Sequence, residues 1–230
     1  MTLFYRITDT GEKQAPFLPD GVREGACPRP AALRDCPNGD LLVNPVNMIG
    51  GNAADLDSLS RVMRRAYGLV YEHVRWMQRE RGYETWTLAG VAPEIGVRET
   101  RRIVGEYMLT EHDCQQGVAE QPHNDIIAIT EHAVDIHGAK HMLYEVPNGA
   151  YGVPFRCLLP KGTDNLMIAC RGASFSHIAA SSCRLSRTMI TLGQAAGTAA
   201  AMATKNPTPL RELDAAALRK ALEEQGVELA

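Results

Sequence analysis

The alternation of apolar and polar residues predicts both strands and helices along the chain. Thr2–Thr8 alternates in polarity as a half-buried strand does, and Gly39–Val46 carries a second short strand pattern. Over Leu56–Met77, apolar residues recur at helical spacing for about six turns and form one stripe. Asp55 or Asp57 can cap the start of this helix. We predict that the helix is scaffold.

The second half of the chain carries further apolar runs and a late helix. Five runs predict strands: Arg101–Leu109, Asp125–Ile136, Met142–Val146, Phe155–Leu159 and Leu166–Cys170. A helix rich in Ala and Gly is predicted from about Arg184 to Thr204, and a terminal amphipathic helix over Ala215–Glu224. Antiparallel-type strands followed by one strand–helix unit are typical of the α+β class. We therefore predict an α+β fold with a mixed or antiparallel sheet.

Composition and charge exclude several classes of protein. The 230 residues allow one large domain or one and a half ordinary ones. The formal net charge of -3 argues against a nucleic-acid or membrane-surface partner, because both require a basic excess. No apolar run approaches the ~20 residues that span a bilayer, and the first residues lack a signal-peptide pattern. We predict a cytoplasmic protein.

The cysteines do not form a recognisable framework. The chain has 6 cysteines and none of them form a C-x-x-C pair. In a chain of this length, such spacing favours free thiols over disulfides or a zinc ribbon.

The most informative stretch is Tyr151–Ala203. It contains the predicted strand Leu166–Cys170, then Arg171-Gly172, and then small residues within Leu192–Ala201. Small residues three and four positions apart let a helix backbone pack closely against a neighbour. Near a helix start they also let a bound cofactor touch backbone N–H groups. Both interpretations remain open from the residues alone.

Four segments occur in an order that resembles a known family. They are Ile95–Gly105 (IGVRETRRIVG) with Tyr107, Leu109, Thr110 and Asp113; Asp125–Gly138; Pro154–Gly162; and Asn165–Ala200. The last segment matches at Asn165, Leu166, Ala169, Arg171, Ser174, His177, Ser182, Arg184, Thr188 and Leu192–Ala200. Together they resemble the C-terminal part of the FAD-dependent oxidoreductases of the glutathione-reductase-like superfamily.

The resemblance implies FAD as the cofactor and a set of residues that bind it. Residues 170–172 are expected along the ribityl or phosphate side of the flavin. The helix N–H groups near Gly193 are expected at the pyrimidine end of the ring. The implied cofactor-binding residues are Cys170, Arg171, Gly172, Gly193, Gln194, Ala195 and Ala196. Cys170 stands where the family has glycine.

The resemblance also implies a domain organisation. Residues 1–160 are expected to form a substrate or cap domain. Residues 161–230 are expected to form a C-terminal remnant of the FAD-binding α/β domain, contributing its closing strand and helix, with a terminal helix. The G-x-G-x-x-G segment that holds the pyrophosphate at a helix N-terminus does not occur in the sequence. A truncated product, a split enzyme or a repurposed domain would each explain this.

Five residues are candidates for the substrate side. His137 follows a strand pattern, where an imidazole could accept a proton as hydride leaves a neighbouring C–H, or could be structural. Arg98 and Arg102 could bind an anionic group or form ordinary ion pairs. Arg184 could hold an anionic substrate group or the loop backbone, and His177 lies in the same family segment.

A metal site is the less favoured interpretation of one histidine cluster. His132, His137 and His141 lie close to Asp135 in the sequence, at spacings that metal ligands can adopt. However, Gly138 interrupts a helix, and strand alternation would place His132 and His137 on opposite faces. We predict no metal.

These observations lead to one main hypothesis and one alternative. The main hypothesis is the C-terminal part of an FAD-dependent oxidoreductase, which acts by hydride transfer on a small organic substrate. As a single chain it would be incomplete, and we expect a partner chain that carries the G-x-G-x-x-G half, or a homo-oligomer. The alternative is a non-catalytic ligand- or partner-binding domain derived from a flavoprotein.

Overall fold

The chain folds into two compact units with separate cores. The computed structural model describes residues 1–15, 17–22, 32–137 and 141–229. The units are Met1–Thr100 and Arg101–Ala230. Both combine helices with antiparallel strands, which confirms the α+β class. The predicted functional division at residue 160 does not coincide with this boundary and stays a prediction.

The first unit is a four-stranded antiparallel sheet with one long helix. Its strands are β1 (Thr2–Asp9), β2 (Ala32–Asp35), β3 (Leu41–Asn47) and β4 (Trp86–Val91), and its helix is α1 (Leu56–Glu80). The strands lie in the order β2-β3-β1-β4. The predictions of β1, β3 and α1 are confirmed. The stretch between β1 and β3 contains β2, and residues 16 and 23–31 of it lie outside the described residues.

The core of this unit follows from the alternation in β1 and the stripe on α1. Leu3, Tyr5 and Ile7 are buried and pack with Ala66 and Val70 of the helix. Each large apolar side chain that is fully buried stabilises the fold by about 1.5–3 kcal/mol. The apolar residues at every second position of β1 and at about every 3.6 positions of α1 therefore pack into one core.

The cap of α1 is Asp55. Its carboxylate accepts a hydrogen bond from the Ser58 backbone N–H at 2.7 Å. Asp57, the other candidate, lies in the first turn of the helix. Asp55 therefore satisfies one of the N–H groups that a helix start leaves without a partner.

The second unit combines two antiparallel strand pairs with four helices. Its strands are β5 (Ile126–Thr130), β6 (Val134–His137), β7 (His141–Tyr144) and β8 (Tyr151–Pro154). Its helices are α2 (Glu111–Gln116), α3 (His177–Cys183), α4 (Ser186–Lys205) and α5 (Ala215–Glu224). β5 pairs with β8, and β6 pairs with β7. The predictions of β7, α4 and α5 are confirmed.

Two predicted strands of this unit are placed differently. The run Asp125–Ile136 is divided between β5 and β6 rather than continuous. The run Phe155–Leu159 is a short 3-10 helix at Phe155–Leu158, and the strand lies just before it, in β8. An apolar run of four or five residues does not distinguish a buried strand from a buried helical turn, because both bury every side chain.

Neither of the predicted strands Arg101–Leu109 and Leu166–Cys170 forms a continuous ladder, and the first bends at Glu106 and Tyr107. The first makes single bridges, from Gly105 to Pro160 and from Leu109 to Phe175. Gly105 allows this close approach, since a Cβ there would lie 2.6 Å from the Ser174 Cβ. The prediction of regular strands was wrong because the hydrogen bonds are scattered among several neighbouring segments.

Candidate functional site

A buried carboxylate, Asp113, organises the polar interior of the second unit. It accepts hydrogen bonds from the Tyr107 hydroxyl at 2.7 Å and from His123 Nε2 at 3.0 Å. The Thr110 N–H and hydroxyl donate to its other oxygen at 2.7 and 2.9 Å. The contacts to Thr110 form a capping box at the start of α2.

These hydrogen bonds determine the charge state of the cluster. Burial raises the pKa of Asp113, but the hydrogen bonds from Tyr107, His123 and Thr110 outweigh it, so the pKa lies below its usual range. Burial, together with the hydrogen bond to Asp113, raises the pKa of Tyr107. Asp113 is therefore a carboxylate and Tyr107 a neutral phenol at neutral pH.

Arg156 joins the same network from the 3-10 helix that follows β8. Its Nε and Nη2 donate to the two Asp125 oxygens at 2.9 and 3.0 Å, a bidentate pair. Its Nη2 lies 3.3 Å from His123 Nδ1, and its guanidinium lies 5.3 Å from the centre of the Tyr107 ring. His123 thus donates from Nε2 to Asp113 and accepts at Nδ1 from Arg156.

The side chains named above bond to one another, which supports a structural role for the network. It ties the bend at Tyr107 to α2 and to the segment after β8. The family segments identified in the sequence contain Asp125 and Arg156 but not His123, and no role was predicted for any of the three. Their spacing alone, over more than thirty positions, gives no signal that they meet.

The segment Leu166–Cys170 presents an open backbone edge. Ile168 donates its N–H to the Leu158 carbonyl at 2.9 Å, which satisfies one edge of the extended chain. Within the described residues, the N–H groups of Met167 and Ala169 make no hydrogen bond. Alternate residues of an extended chain direct their amides to opposite edges, so the second edge is unpaired.

Helix α4 has one packed face and one bare face. Thr188, Leu192, Ala195 and Ala199 are buried on the packed face. The bare face is defined by Ser186, Ile190, Gly193, Gly197, Ala201 and Thr204. Ile190 is 71% exposed, and a Cβ added at Gly193 or Gly197 would meet no atom within 4 Å. The bare face is therefore flat and available for close approach.

Three of the cofactor-side candidates lie at the end of the open edge. Cys170 and Arg171 are exposed, and Gly172 is half-buried. The Gly172 N–H donates to the Cys170 sulfur at 3.3 Å, and its carbonyl accepts from Ile103 N at 2.8 Å. Their exposure leaves room for a ligand beside them.

The other cofactor-side candidates lie inside α4 rather than at its start. The helix begins at Ser186, so Gly193, Gln194, Ala195 and Ala196 lie about two turns further on. Their N–H groups serve the helix hydrogen bonds and do not project from a helix end. The geometry that was expected for N–H contacts near Gly193 is therefore wrong. Gly193 offers a surface without a side chain, Gln194 is exposed, and Ala195 is buried.

Two of the predicted residues, Arg171 and Arg184, lie together. Arg171 Nε donates to the Arg184 carbonyl at 3.1 Å. Arg184 in turn donates from Nη2 to the backbone carbonyl of Asp135 at 3.1 Å and to its carboxylate at 3.2 Å. Asp135 belongs to β6, the strand that ends at His137. The side chain of His137 lies outside the described residues.

The remaining substrate-side candidates are Arg98, Arg102 and His177. Arg98 and Arg102 are half-buried and lie outside any helix or strand, so their spacing does not place them on one helical face. They also fall in different units, on either side of the boundary after Thr100. His177 is exposed at the first position of α3, where the Ser176 hydroxyl caps the helix.

Metal and thiol chemistry find little support in the part of the chain that is described. There, no group of three or more His, Cys, Asp or Glu side chains is arranged to hold a metal ion. The hypothesis that involves His137 and His141 stays untested, since those side chains are not described. Cys114, Cys157 and Cys183 are buried free thiols. Burial raises the pKa of Cys114 to about 11, which keeps it protonated at neutral pH.

Comparison with known proteins gives one match. A family model described as FAD dependent oxidoreductase matches residues 20–222, most of the 230-residue chain. No curated protein and no solved structure matches. Among the described residues, no helix is both long and apolar enough to cross a lipid bilayer.

Proposed function

Since this chain belongs to the FAD dependent oxidoreductase family, we propose that it forms one wall of a flavin site whose phosphate-binding half comes from another polypeptide segment. Membership of this family identifies the chain as a flavin oxidoreductase with FAD as its cofactor. The proposal concerns the assembly, the transfer of hydride and the substrate, a small organic molecule. The open edge at Leu166–Cys170 is the observation that carries it.

The unpaired amides of the open edge favour a strand as the neighbouring element. Unpaired amides at Met167 and Ala169 are best satisfied by an extended chain that adds to the edge. Leu166 is 43% exposed, so a neighbour would also cover apolar surface. A strand that opens a dinucleotide-binding unit supplies both the hydrogen bonds and the apolar cover.

The bare face of α4 supports a helix as the second neighbouring element. Glycines at positions 193 and 197 let another backbone approach more closely than any side chain would allow. A strand followed by a helix could thus occupy the open edge and the bare face together. We propose a partner with G-x-G-x-x-G between that strand and helix, because this sequence lacks it.

The residues beside the open edge fit the role of a flavin wall. Cys170 and Arg171 are exposed, and Arg171 is oriented by the Arg184 carbonyl. The guanidinium of Arg171 would hold an anionic oxygen of the cofactor. When bound, FAD would supply the chemistry of accepting or donating hydride.

The substrate side is proposed at the end of β6. Arg184 is held by Asp135, so the strand that carries His137 is fixed to the start of α4. His137 would accept the proton that a substrate hydroxyl loses as hydride leaves the adjacent carbon. Arg184 would hold this wall in place, while Arg98, Arg102 and His177 remain candidates for substrate contact.

The test is purification of the tagged chain from its own cells, with flavin content and co-purifying polypeptides measured together. We expect bound FAD and a second polypeptide that contains G-x-G-x-x-G. Gly193→Trp should remove both, because an indole on the bare face would block the partner helix. Glu223→Trp, which adds the same side chain to an exposed position near the end of α5, is the matched control and should retain both. A clean monomer without flavin or partner, and with Gly193→Trp unchanged, would contradict the proposal.

A further inference from the structure

The unit Met1–Thr100 contains a groove between α1 and the chain that follows β4. Its volume is about 640 Å³, within the range of small-molecule sites. Its walls are largely apolar, with Leu59, Met63 and Tyr67 on the helix and Ile95 and Val97 opposite.

Two charged side chains, Arg64 and Glu94, line this apolar groove. Arg64 extends from α1, and Glu94 from the chain after β4. Within the described residues, neither forms an ion pair or a side-chain hydrogen bond. The two charges therefore do not neutralise each other, although they line the same groove. An arginine beside an apolar groove is suited to a ligand that has an apolar body and one anionic end.

We propose that this groove binds a small amphipathic carboxylic acid, with its carboxylate on Arg64 and its apolar body along Leu59, Met63 and Tyr67. Glu94 opposes a second anionic group, so a monocarboxylate is favoured over a dicarboxylate. The site lies wholly within the first unit and does not depend on flavin or on a partner.

The test measures binding of octanoate and of its neutral analogue octanamide to the full chain by isothermal titration calorimetry. We expect saturable binding of octanoate, and weaker binding of octanamide. Arg64→Met should weaken octanoate binding about 3–5-fold, because the pair is partly exposed to solvent. It should leave octanamide unchanged. Leu59→Glu should weaken binding of both, since it places a charge in the apolar wall.

Arg61→Met provides the matched control. Arg61 is exposed one turn earlier on α1 and does not line the groove, so this variant should bind octanoate as the unmodified chain does. Three results would overturn the proposal: no saturable octanoate binding, equal binding of octanamide, or equal losses in Arg61→Met and Arg64→Met. None of these results requires FAD, so they can be told apart from a failure of the proposed flavin site.

Discussion

At the scale of single residues, the buried carboxylate of Asp113 accepts four hydrogen bonds in the second unit. Asp113→Asn would leave an amide NH₂ facing groups that all donate to the carboxylate, including Tyr107 and Thr110. We expect a loss of about 2–4 kcal/mol in the free energy of unfolding. Urea denaturation followed by circular dichroism measures it. Glu120→Gln, at an exposed acid, should change stability by less than about 0.5 kcal/mol. Equal effects in both variants would show that the network is dispensable.

The same carboxylate predicts a dependence of stability on pH. The pKa of Asp113 is lowered in the folded chain. Its contribution is therefore complete above the unfolded pKa of about 3.9 and is lost as the pH falls through the lower folded value. The difference in unfolding free energy between the unmodified chain and Asp113→Asn should shrink from pH 6 to pH 3. A difference that stays constant over this range would be inconsistent with a charged Asp113.

Single residues also show what the sequence could not provide. The family segments contain Tyr107, Asp113 and Arg156. These side chains come together only in the folded chain, and their sequence positions do not predict the contact. The cap of α1, in contrast, was narrowed to two neighbouring aspartates by local rules alone, because capping involves contacts within one turn.

At the scale of elements, the assignment of Asp55 as the cap of α1 can be tested by comparison with Asp57. Asp55→Ala removes the hydrogen bond to the Ser58 N–H and should cost about 1 kcal/mol of stability. Asp57→Ala should cost only a few tenths of a kcal/mol, since Asp57 acts only through the helix dipole. Thermal unfolding of the two variants makes the comparison. A larger loss in Asp57→Ala would mean that the cap is assigned to the wrong residue.

The bare face of α4 predicts a gain in stability. Gly197→Ala should stabilise the isolated chain by about 0.5–1 kcal/mol, because alanine favours a helix and the new methyl group meets no atom within 4 Å. Chemical denaturation of the chain expressed alone measures this gain. Destabilisation would mean that another part of the same chain already packs against the face.

Elements with their own periodicity were predictable, and those that depend on neighbours were not. The pattern of α1 and the alternation of β1 are properties of one segment, and both predictions are confirmed. Leu166–Cys170 has the composition of a buried strand but lacks a neighbour on one edge within the described residues. A regular strand requires hydrogen bonds to a neighbouring strand, and the composition of one segment does not show whether that neighbour exists.

At the scale of the whole molecule, the family is established and the assembly is proposed. The match over residues 20–222 makes FAD the cofactor. The proposed assembly rests on the open edge and the bare face of α4.

The most direct test is the visible absorption spectrum of the chain after incubation with excess FAD and removal of free ligand. The spectrum is recorded for the chain expressed alone and for the chain isolated with its partner. The account predicts no retained flavin in the first sample and bound flavin at near-unit stoichiometry in the second. Full retention by the chain alone would contradict the need for a second half, and a colourless complex would contradict the flavin site itself.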